Sequence, residues 1–460
     1  MDELEIKKII DERKITALLK LTRRPTTKKV QAVLNKALKK GGLSLKEVSC
    51  LLNADSPALL KKMFAAAGKI KREIYGERLV FFAPLYVSSY CINDCDYCGF
   101  HRRNLAPRKK LSLAEVAEQV KILEDMGHKR LLVEFGEDPI NNPIDYVVKA
   151  IRTIYATKSG QGEIRRVNVN LAATTVKNYR RLKKAGIGTY QLFQETYHRK
   201  TFEKVHHGPK ANYARQLLAH NRAMTAGLDD VGLGVLFGLY NYKFDVLGLV
   251  AHAQYLENKF GVGPHTFSVP RWRPAATVDL NPAYQVSEPE LLKIIAILRL
   301  AVPYTGMIIS TRERPKLRAK AFKIGISQTS AASKTAPGGY SHNEPVKQFD
   351  TFDQRSLDET LKSILKQGLL PSFCTACYRL GRTGQTFMDL AKPGDIQNLC
   401  RPNAILTFKE YLEDYASSSV KILGQKIIKQ YLQGIPSKKT RLETAARLAR
   451  IENGRRDLYF

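Results

Sequence analysis

Hydrophobic and polar residues at the start of the chain follow the period of amphipathic α-helices. Turn-forming residues such as Pro25 and the pair Gly41–Gly42 separate the amphipathic segments, which cover residues 2–21, 26–40, 45–53 and 56–72. The pattern therefore predicts an N-terminal helical extension over residues 1–75.

From about residue 78 the pattern changes to short apolar runs that alternate with amphipathic helical segments. Eight of these runs are candidate strands, at residues 79–88, 130–135, 166–170, 189–193, 231–236, 265–269, 306–310 and 325–327. Strict alternation of strands and helices is typical of a parallel sheet, and eight units over roughly 250 residues suit a (β/α)8 barrel. We therefore predict an α/β protein with a TIM-type barrel over residues 76–330. An incomplete barrel of six units is the alternative, because the patterns of the last strands are weak.

The segment Thr329–Gly339 is rich in Ser, Ala, Gly and Pro, as is typical of a loop. The residues after it again show helical patterns, and three clustered cysteines lie among them. The sequence therefore predicts a mostly helical C-terminal domain over residues 331–460.

Composition and termini indicate a soluble protein of the cytoplasm. Hydrophobic residues make up 44% of the chain and charged residues 26%, which is ordinary for globular proteins. The N-terminus is charged from its second residue, unlike a secretory signal. The longest apolar run, Leu79–Val87, is far shorter than the ~20 residues that a membrane helix requires. We expect no membrane partner.

The formal net charge of +32 comes from basic clusters that are scattered along the chain. We interpret it first as a solubility feature or as a source of surface ion pairs. Docking of acidic electron donors or other acidic proteins is the second interpretation. We expect no nucleic-acid partner, because no nucleic-acid motif accompanies the charge.

Seven cysteines are present, and six of them form two compact groups. Thiols in the cytosol stay reduced, so grouped cysteines indicate metal or redox sites before disulfides. The seventh, Cys50, lies in a helical segment and is expected to be a small buried hydrophobe.

The first group, Cys91, Cys95 and Cys98, follows the first predicted strand, at the end where barrel active sites lie. A [4Fe–4S] cubane held by three thiolates keeps one iron open. An open iron can bind the amino and carboxylate groups of S-adenosylmethionine (SAM), and the cluster can then supply an electron for its cleavage. Structural zinc is the rival interpretation, but it requires four ligands, and C-x3-C-x2-C is not a usual zinc spacing even with His101 nearby.

With this spacing and with Tyr97 before its last cysteine, the chain resembles the radical SAM superfamily. The resemblance implies that Tyr97 packs near the adenine of SAM. The segment Glu134–Glu137 is similar to the Gly-Gly-Glu motif of that superfamily, which implies that Gly136 and Glu137 bind the methionine moiety. The first glycine of the motif is replaced by Phe135.

The second group consists of Cys374 and Cys377 in a C-x2-C pair and of Cys400, which follows after 22 residues. Zinc with a distant histidine is one interpretation of these ligands. A second cubane with an open iron is equally allowed. Composition and spacing leave both open.

The run Cys374-Thr-Ala-Cys377-Tyr-Arg-x-Gly-Arg-Thr-Gly, together with Cys400 and the segment Asn403–Tyr411, resembles the C-terminal domain of the HydG family of [FeFe]-hydrogenase maturases. The resemblance implies two [4Fe–4S] clusters, SAM as cofactor, and a lyase that cleaves L-tyrosine to p-cresol and dehydroglycine. Dehydroglycine would then give CO and cyanide on iron for the hydrogenase H-cluster. A low-potential electron donor and hydrogenase-maturation proteins are the implied partners.

The same resemblance implies roles for further residues. His265 would hold a labile iron at the second cluster, and Arg312 and Ser327 would bind the tyrosine carboxylate, for which arginine is the natural partner. From their position at the end of the fourth strand, Glu195 and Tyr197 are predicted to contact the cofactor ribose or amino acid, and polar structure at the entry of a helix is the alternative.

Three alternative functions stay open at this stage. One is a related tyrosine lyase that makes only dehydroglycine for thiamine synthesis. The second is a two-cluster radical enzyme with another substrate. The third is a zinc-stabilised protein that binds nucleic acid, suggested by the net charge of +32.

Overall fold

A computed structural model describes residues 2–275, 277–342 and 347–460. Five helices precede the first strand: α1 (Asp2–Ile9), α2 (Glu12–Leu21), α3 (Thr27–Ala37), α4 (Leu45–Leu52) and α5 (Pro57–Tyr75). The first predicted segment is two helices, because the Asp11 side chain accepts a hydrogen bond from the Lys14 amide and begins α2. The helical extension expected from the hydrophobic pattern is therefore present.

Eleven strands are described, and eight of them form the barrel. In chain order they are β1 (Arg78–Ser88), β2 (Arg130–Phe135), β3 (Lys158–Ser159), β4 (Gly162–Glu163), β5 (Arg166–Asn170), β6 (Tyr190–Glu195), β7 (Val231–Val235), β8 (Thr266–Ser268), β9 (Gly306–Ile309), β10 (Gln328–Ser330) and β11 (Leu370–Ser372). The short β3 and β4 form a separate antiparallel pair, and the barrel strands are all parallel.

The barrel is closed, because β10 pairs with β1 in the register Val80 to Gln328. The prediction of a (β/α)8 barrel is confirmed, and the incomplete barrel of six units is wrong. The eighth strand lies three residues later than the sequence indicated. The amide of Gly325 donates a hydrogen bond to the Ala321 carbonyl and so ends the preceding helix. The first residues of the predicted strand therefore belong to the end of that helix and to the turn after it, and the strand begins at Gln328.

Helices connect the barrel strands and cover their outer face. They are α6 (Leu113–Asp125), α7 (Ile144–Ala156), α8 (Val176–Lys184), α9 (Arg199–Val205), α10 (Tyr213–Leu217), α11 (Ala219–Thr225), α12 (Tyr242–Phe260), α13 (Glu288–Ala301) and α14 (Pro315–Ile324), with a 3₁₀ turn at Pro209–Ala211. Capping boxes begin α6 and α13, where Ser112 and Ser287 exchange hydrogen bonds with glutamates three residues on.

The C-terminal region is mostly helical. It contains α15 (Leu357–Leu365), α16 (Ala376–Arg379), α17 (Gly384–Ala391), α18 (Gln397–Asp414), α19 (Ser418–Gln433) and α20 (Lys438–Glu452). Its strand β11 pairs with the first residues of β1, Arg78 with Leu370 and Val80 with Ser372. This pairing fixes the C-terminal region to the end of the barrel where the strands begin.

One continuous hydrophobic core runs from Ile6 in α1 to Ile451 in α20 and includes the interior of the barrel wall. The division into three domains at residues 75 and 330 stays a prediction. Within the described residues, no helix combines the length and the apolar character that crossing a membrane requires.

Candidate functional site

The first cysteine group lies on the loop after β1, and its three thiols line one cavity at the C-terminal ends of the strands. The loop is held by short backbone hydrogen bonds, among them Ile92 N–H to the Glu137 carbonyl at 2.7 Å. The Phe100 amide points at the Cys98 Sγ at 3.4 Å. Burial raises the pKa of the Cys98 thiol to about 11. A coordinated iron reverses that preference, because metal-bound thiols lose their proton.

Gly136, at the end of β2, lies directly beneath this loop. A Cβ atom at this position would stand 2.2 Å from the Tyr90 carbonyl oxygen and 3.2 Å from the Cβ of Cys91. Only glycine therefore lets the cysteine loop lie against the end of β2. This contact gives the predicted site residue Gly136 a definite structural role.

Glu137 lines the same cavity, and its carboxylate already has two partners. It accepts a hydrogen bond from Asn93 Nδ2 at 2.6 Å and forms an ion pair with Arg215. Asn93 lies between Cys91 and Cys95, so Glu137 fixes the position of the cysteine loop. The carboxyl group of Glu134 is less committed, although it lines the same space. Burial raises the pKa of Glu134 to about 8, so it holds a proton near neutral pH.

The cavity encloses about 1420 Å³ of empty space, including its open mouth. Its lining comes from the ends of most barrel strands and includes the predicted residues Tyr97, Glu195 and Arg312. The hydroxyl group of Tyr97 makes a 2.8 Å hydrogen bond with the Nε2 atom of His206, which fixes the ring at the cavity wall.

Arg312 follows β9, and its guanidinium stacks on the Phe349 ring with the central carbon 3.3 Å from the ring centroid. Among the described residues this guanidinium has no carboxylate within ion-pair distance and donates no hydrogen bond. Burial lowers the pKa of Arg312, although Tyr86 and Glu195 oppose the shift. A positive charge held without a partner inside a cavity is suited to an anionic ligand.

Glu195 ends β6 at a shift in strand register and has a left-handed backbone with φ of 66°. Such a conformation costs a non-glycine residue of order 1 kcal/mol and is typical of functional positions. The strained backbone places the Glu195 carboxylate 2.8 Å from Lys210 Nζ, and both side chains line the cavity. Although burial opposes the shift, Glu195 and Cys95 raise the pKa of Lys210, which therefore stays charged beside the thiols.

Two predicted site residues lie outside the cavity lining. The hydroxyl group of Ser327 accepts a hydrogen bond from the Met307 amide at 3.1 Å, within the barrel wall. The hydroxyl group of Tyr197 bonds to His252 Nδ1 at 3.1 Å, and the residue is fully buried beneath α12. Four serines do line the cavity, Ser268, Ser310, Ser330 and Ser333. Ser310 and Ser330 lie beside Arg312, because they accept hydrogen bonds from the backbone amides of Arg312 and Thr311. The strand offset explains the first difference, because the chain reaches the barrel mouth three residues after Ser327.

The second cysteine group gathers at the opposite end of the barrel, around Arg78 at the start of β1. The Ala376 amide points at Cys374 Sγ at 3.4 Å, as amides do toward cluster thiolates. A hydrogen bond with Cys377, together with the charges of Arg78 and Arg382, lowers the pKa of Cys400. Among the described residues, no three His, Cys, Asp or Glu side chains converge as the ligands of a single ion would. Thiolates on different irons of a cubane need not converge on one point, and three thiols beside basic side chains are chemically suited to such a cluster.

His265 lies beside this second group, immediately before β8. Its Nε2 is 2.9 Å from the Tyr378 hydroxyl, and Tyr378 directly follows Cys377 in the chain. Its Nδ1 is buried without a hydrogen bond, 3.7 Å from Asp230. Burial lowers the pKa of His265, so the ring is neutral and can act as a ligand. A carboxylate behind one ring nitrogen is typical of metal-binding histidines.

Sequence reasoning did not assign a role to Glu134 or Lys210. Glu134 stands inside the motif-like segment on β2, and its place at the end of an otherwise apolar run, in a strand buried on both faces, was the signal for it. Lys210 comes from the distant turn Pro209–Ala211, and only the fold brings it to the cysteines.

The chain is similar to known families and proteins. The Radical SAM superfamily model matches residues 85–248, and the Biotin and Thiamin Synthesis associated domain matches residues 268–370. The 2-iminoacetate synthase of Escherichia coli (strain K12) is 31% identical over 360 residues, which cover 78% of this chain and 94% of that protein.

Two solved structures are similar over almost the whole chain. A crystal structure of HydG, described as a maturase of the [FeFe]-hydrogenase, is 55% identical with a TM-score of 0.96, covering 98% of this chain and 100% of that one. The HydG of Carboxydothermus hydrogenoformans is 39% identical with a TM-score of 0.85, covering 97% and 99%.

The Radical SAM match includes Cys91, Cys95 and Cys98, and its family implies a [4Fe–4S] cluster with SAM. The donor set at the end of β1 is suited to that cluster, with three thiols around one cavity and a lysine to balance their charge. The chain therefore belongs to the radical SAM tyrosine lyase family that contains HydG and 2-iminoacetate synthase.

Proposed function

We propose that this enzyme cleaves L-tyrosine to p-cresol and dehydroglycine and converts dehydroglycine to CO and cyanide for assembly of the [FeFe]-hydrogenase H-cluster. The observation that carries the proposal is Arg312, an unpaired guanidinium inside the cavity that the first three cysteines line. A [4Fe–4S] cluster held by Cys91, Cys95 and Cys98 would supply the electron for reductive cleavage of SAM, the source of a 5′-deoxyadenosyl radical.

The side chains of the cavity divide the binding of the two small molecules. Arg312 holds the tyrosine carboxylate through paired hydrogen bonds, with its plane fixed by Phe349. Ser310 and Ser330 line the same part of the cavity and offer hydroxyl groups. This leaves the amino group of tyrosine free, which the transfer of its hydrogen atom to the radical requires.

Glu134 and Tyr97 serve the cofactor in this proposal. The ammonium group of SAM placed beside Glu134 would lower the pKa of that carboxyl and make it an anionic acceptor. Glu137 acts through Asn93 by fixing the cysteine loop. Lys210 offsets the negative charge of the thiolates, because its pKa is raised and it stays protonated.

The overall chemistry balances without a further oxidant. Cleavage of the Cα–Cβ bond of the tyrosyl radical leaves dehydroglycine and a 4-hydroxybenzyl radical, which takes up one electron and one proton to become p-cresol. Dehydroglycine, HN=CH–COO⁻, contains the atoms of one CO, one cyanide and one water. We assign this second conversion to the end of the barrel that carries Cys374, Cys377, Cys400 and His265, because those side chains are suited to a second [4Fe–4S] cluster with an additional iron.

The partners implied by this function are a low-potential electron donor, for the reductive cleavage of SAM, and hydrogenase-maturation proteins, which would receive the iron-bound products. A lyase that stops at dehydroglycine is the second candidate, favoured by the 31% identity to 2-iminoacetate synthase. The second cysteine group argues for the first candidate. The cytoplasmic location stays a prediction.

The test is to incubate the anaerobically reconstituted, reduced enzyme with SAM and L-tyrosine. We expect p-cresol and 5′-deoxyadenosine in equal amounts, together with CO and cyanide. 5′-Deoxyadenosine without p-cresol would contradict tyrosine cleavage, and p-cresol without CO or cyanide would favour the second candidate.

A further inference from the structure

Three arginines are the first residues of three neighbouring barrel strands, at the end of the barrel that carries the second cysteine group. Arg78 starts β1, Arg130 starts β2 and Arg166 starts β5. Arg130 and Arg166 are 5% and 8% exposed, and the Nε atom of each of the three is buried without a hydrogen-bond partner. No carboxylate of the described residues lies within ion-pair distance of any of them.

Arg130 and Arg166 also stand directly opposite each other, because they are register partners in the pairing of β2 with β5. Like charges at such positions repel, and burial strengthens the repulsion. Burial lowers the pKa of Arg166 and Arg130 adds to the shift, whereas Tyr378 and the buried carboxylate of Asp230 oppose it. The Asp230 carboxylate acts on Arg166 but lies outside ion-pair distance, so the two guanidiniums keep donors that a bound anion could accept from.

The fold nevertheless holds Arg166 firmly in place. Its guanidinium stacks on the Tyr378 ring with the central carbon 3.2 Å from the centroid, and Arg130 lies over the same ring at 5.8 Å. A Cβ atom at Gly188 would stand 1.8 Å from Arg166 Nε. Gly188 therefore makes the space that the guanidinium occupies, which is unexpected for a charge without a function.

The ring that carries these arginines also orients the proposed iron ligand. Tyr378 makes a 2.9 Å hydrogen bond with His265, and Arg130 and Arg166 both lie over the Tyr378 ring. Arg78 lies against the thiols of the second cysteine group. An anion held by Arg130 and Arg166 would therefore lie next to the second proposed metal site.

We propose that Arg130 and Arg166, with Arg78 beside the thiols, form a carboxylate-binding site for the two-carbon fragment released from tyrosine. This inference rests on the proposed function, because it names where dehydroglycine binds before it is broken down. Two guanidiniums provide planar, paired donors for one carboxylate. They would leave the imine carbon of the fragment directed toward the second cysteine group. The site is distinct from Arg312, which lies at the opposite end of the barrel.

Binding is tested with glyoxylate, which has oxygen in place of the imine nitrogen of dehydroglycine. The reconstituted enzyme is first saturated with SAM and L-tyrosine without reductant, so that Arg312 is occupied and no turnover occurs. Calorimetric titration with glyoxylate should then reveal one site. Arg130→Met and Arg166→Met should each bind at least about tenfold more weakly, since each loses a charge-assisted hydrogen bond in a buried site.

Two further variants separate position from charge. Gly188→Ala keeps every charge but places a methyl group where the Arg166 guanidinium lies, so it should weaken glyoxylate binding as Arg166→Met does. Arg152→Met is the matched control, because Arg152 lies exposed on α7. It should bind glyoxylate within about twofold of the unmodified enzyme.

Turnover supplies the second readout. The CO formed per p-cresol should fall at least about tenfold in Arg130→Met and Arg166→Met and stay unchanged in Arg152→Met. Equal glyoxylate affinity in all variants, or no binding to the unmodified enzyme, would overturn the inference. Loss of the iron of the second cluster from Arg130→Met would also overturn it, by showing that the arginine retains the cluster. An unmodified enzyme that binds glyoxylate but makes no p-cresol would contradict the proposed function and leave the carboxylate site supported.

Discussion

Replacing Arg312 with methionine tests the proposed tyrosine site most directly. Methionine retains much of the apolar length that packs on Phe349 but removes the charge and every donor. The unpaired guanidinium gains its full set of partners only when a carboxylate enters. A hydrogen bond to a charged group contributes about 1.5–3 kcal/mol, and a buried bidentate pair lies at the upper end of that range.

A loss of about 3 kcal/mol corresponds to roughly a hundredfold weaker binding of L-tyrosine. Arg312→Lys keeps the charge but loses the planar fork and the stacking on Phe349, so it should lose about tenfold. The assay is calorimetric titration of L-tyrosine into the SAM-bound enzyme without reductant, followed by p-cresol formation after reduction. SAM affinity, measured in parallel, should change by less than about twofold.

Arg314→Met is the matched control, because Arg314 is two residues away and exposed. It should leave tyrosine affinity unchanged. If Arg312→Met bound L-tyrosine as tightly as the unmodified enzyme does, the reasoning from the unpaired guanidinium would be refuted. A parallel loss of SAM affinity would show instead that Arg312 supports the cavity as a whole.

The remaining predictions concern the two ends of the barrel and the pH response. Gly136→Ala should lose about four irons per chain, because the new Cβ would displace the cysteine loop. Gly41→Ala is the control and should keep its iron, because the space around Gly41 is open. Equal iron contents in the two variants would contradict this prediction. Cys374→Ala should reduce the CO formed per p-cresol to background, and equal loss of both products would argue against two separate sites. In the folded protein the pKa of Glu134 is about 8, compared with 4.5 for a free glutamate. Between these pH values the folded state binds more protons than the unfolded state. The free energy of unfolding therefore falls by about 1.4 kcal/mol per pH unit as pH rises. In urea unfolding, the stability of the unmodified protein relative to Glu134→Gln should therefore fall from pH 5.5 to 7.5, and a rise would show that burial does not control this carboxyl group.

The sequence predicted the barrel because the period of its apolar residues is a local property. A strand buried on both faces reads as an apolar run, and the helices between the strands keep their own period. The spacing of Cys91, Cys95 and Cys98 is equally local, since the turn residues between them fix how closely the thiols can approach. These features need no knowledge of distant contacts.

Closure of the barrel depended on pairing between residues nearly 250 positions apart, Val80 with Gln328, which no local pattern reports. The eighth strand was displaced because the apolar run at Gly325 also ends a helix, and tertiary pairing decided where the strand begins. That offset of three residues moved the cavity position from Ser327 to Ser330. Tyr197 lies outside the cavity lining for a related reason, because the chain after Glu195 turns inward beneath α12.

The sequence by itself determined which cysteines form groups, and the tertiary structure decided where each group lies. Both groups follow a strand in the chain, but β11 pairs with the start of β1, and this places the second group at the opposite end of the barrel from the first. The charges around them were also beyond sequence reasoning. Lys210 reaches the first thiols from a distant turn, and Arg130 meets Arg166 only because β2 and β5 pair in one register. Residue spacing fixes local chemistry, whereas burial and strand pairing determine which charges face one another and therefore what each site can bind.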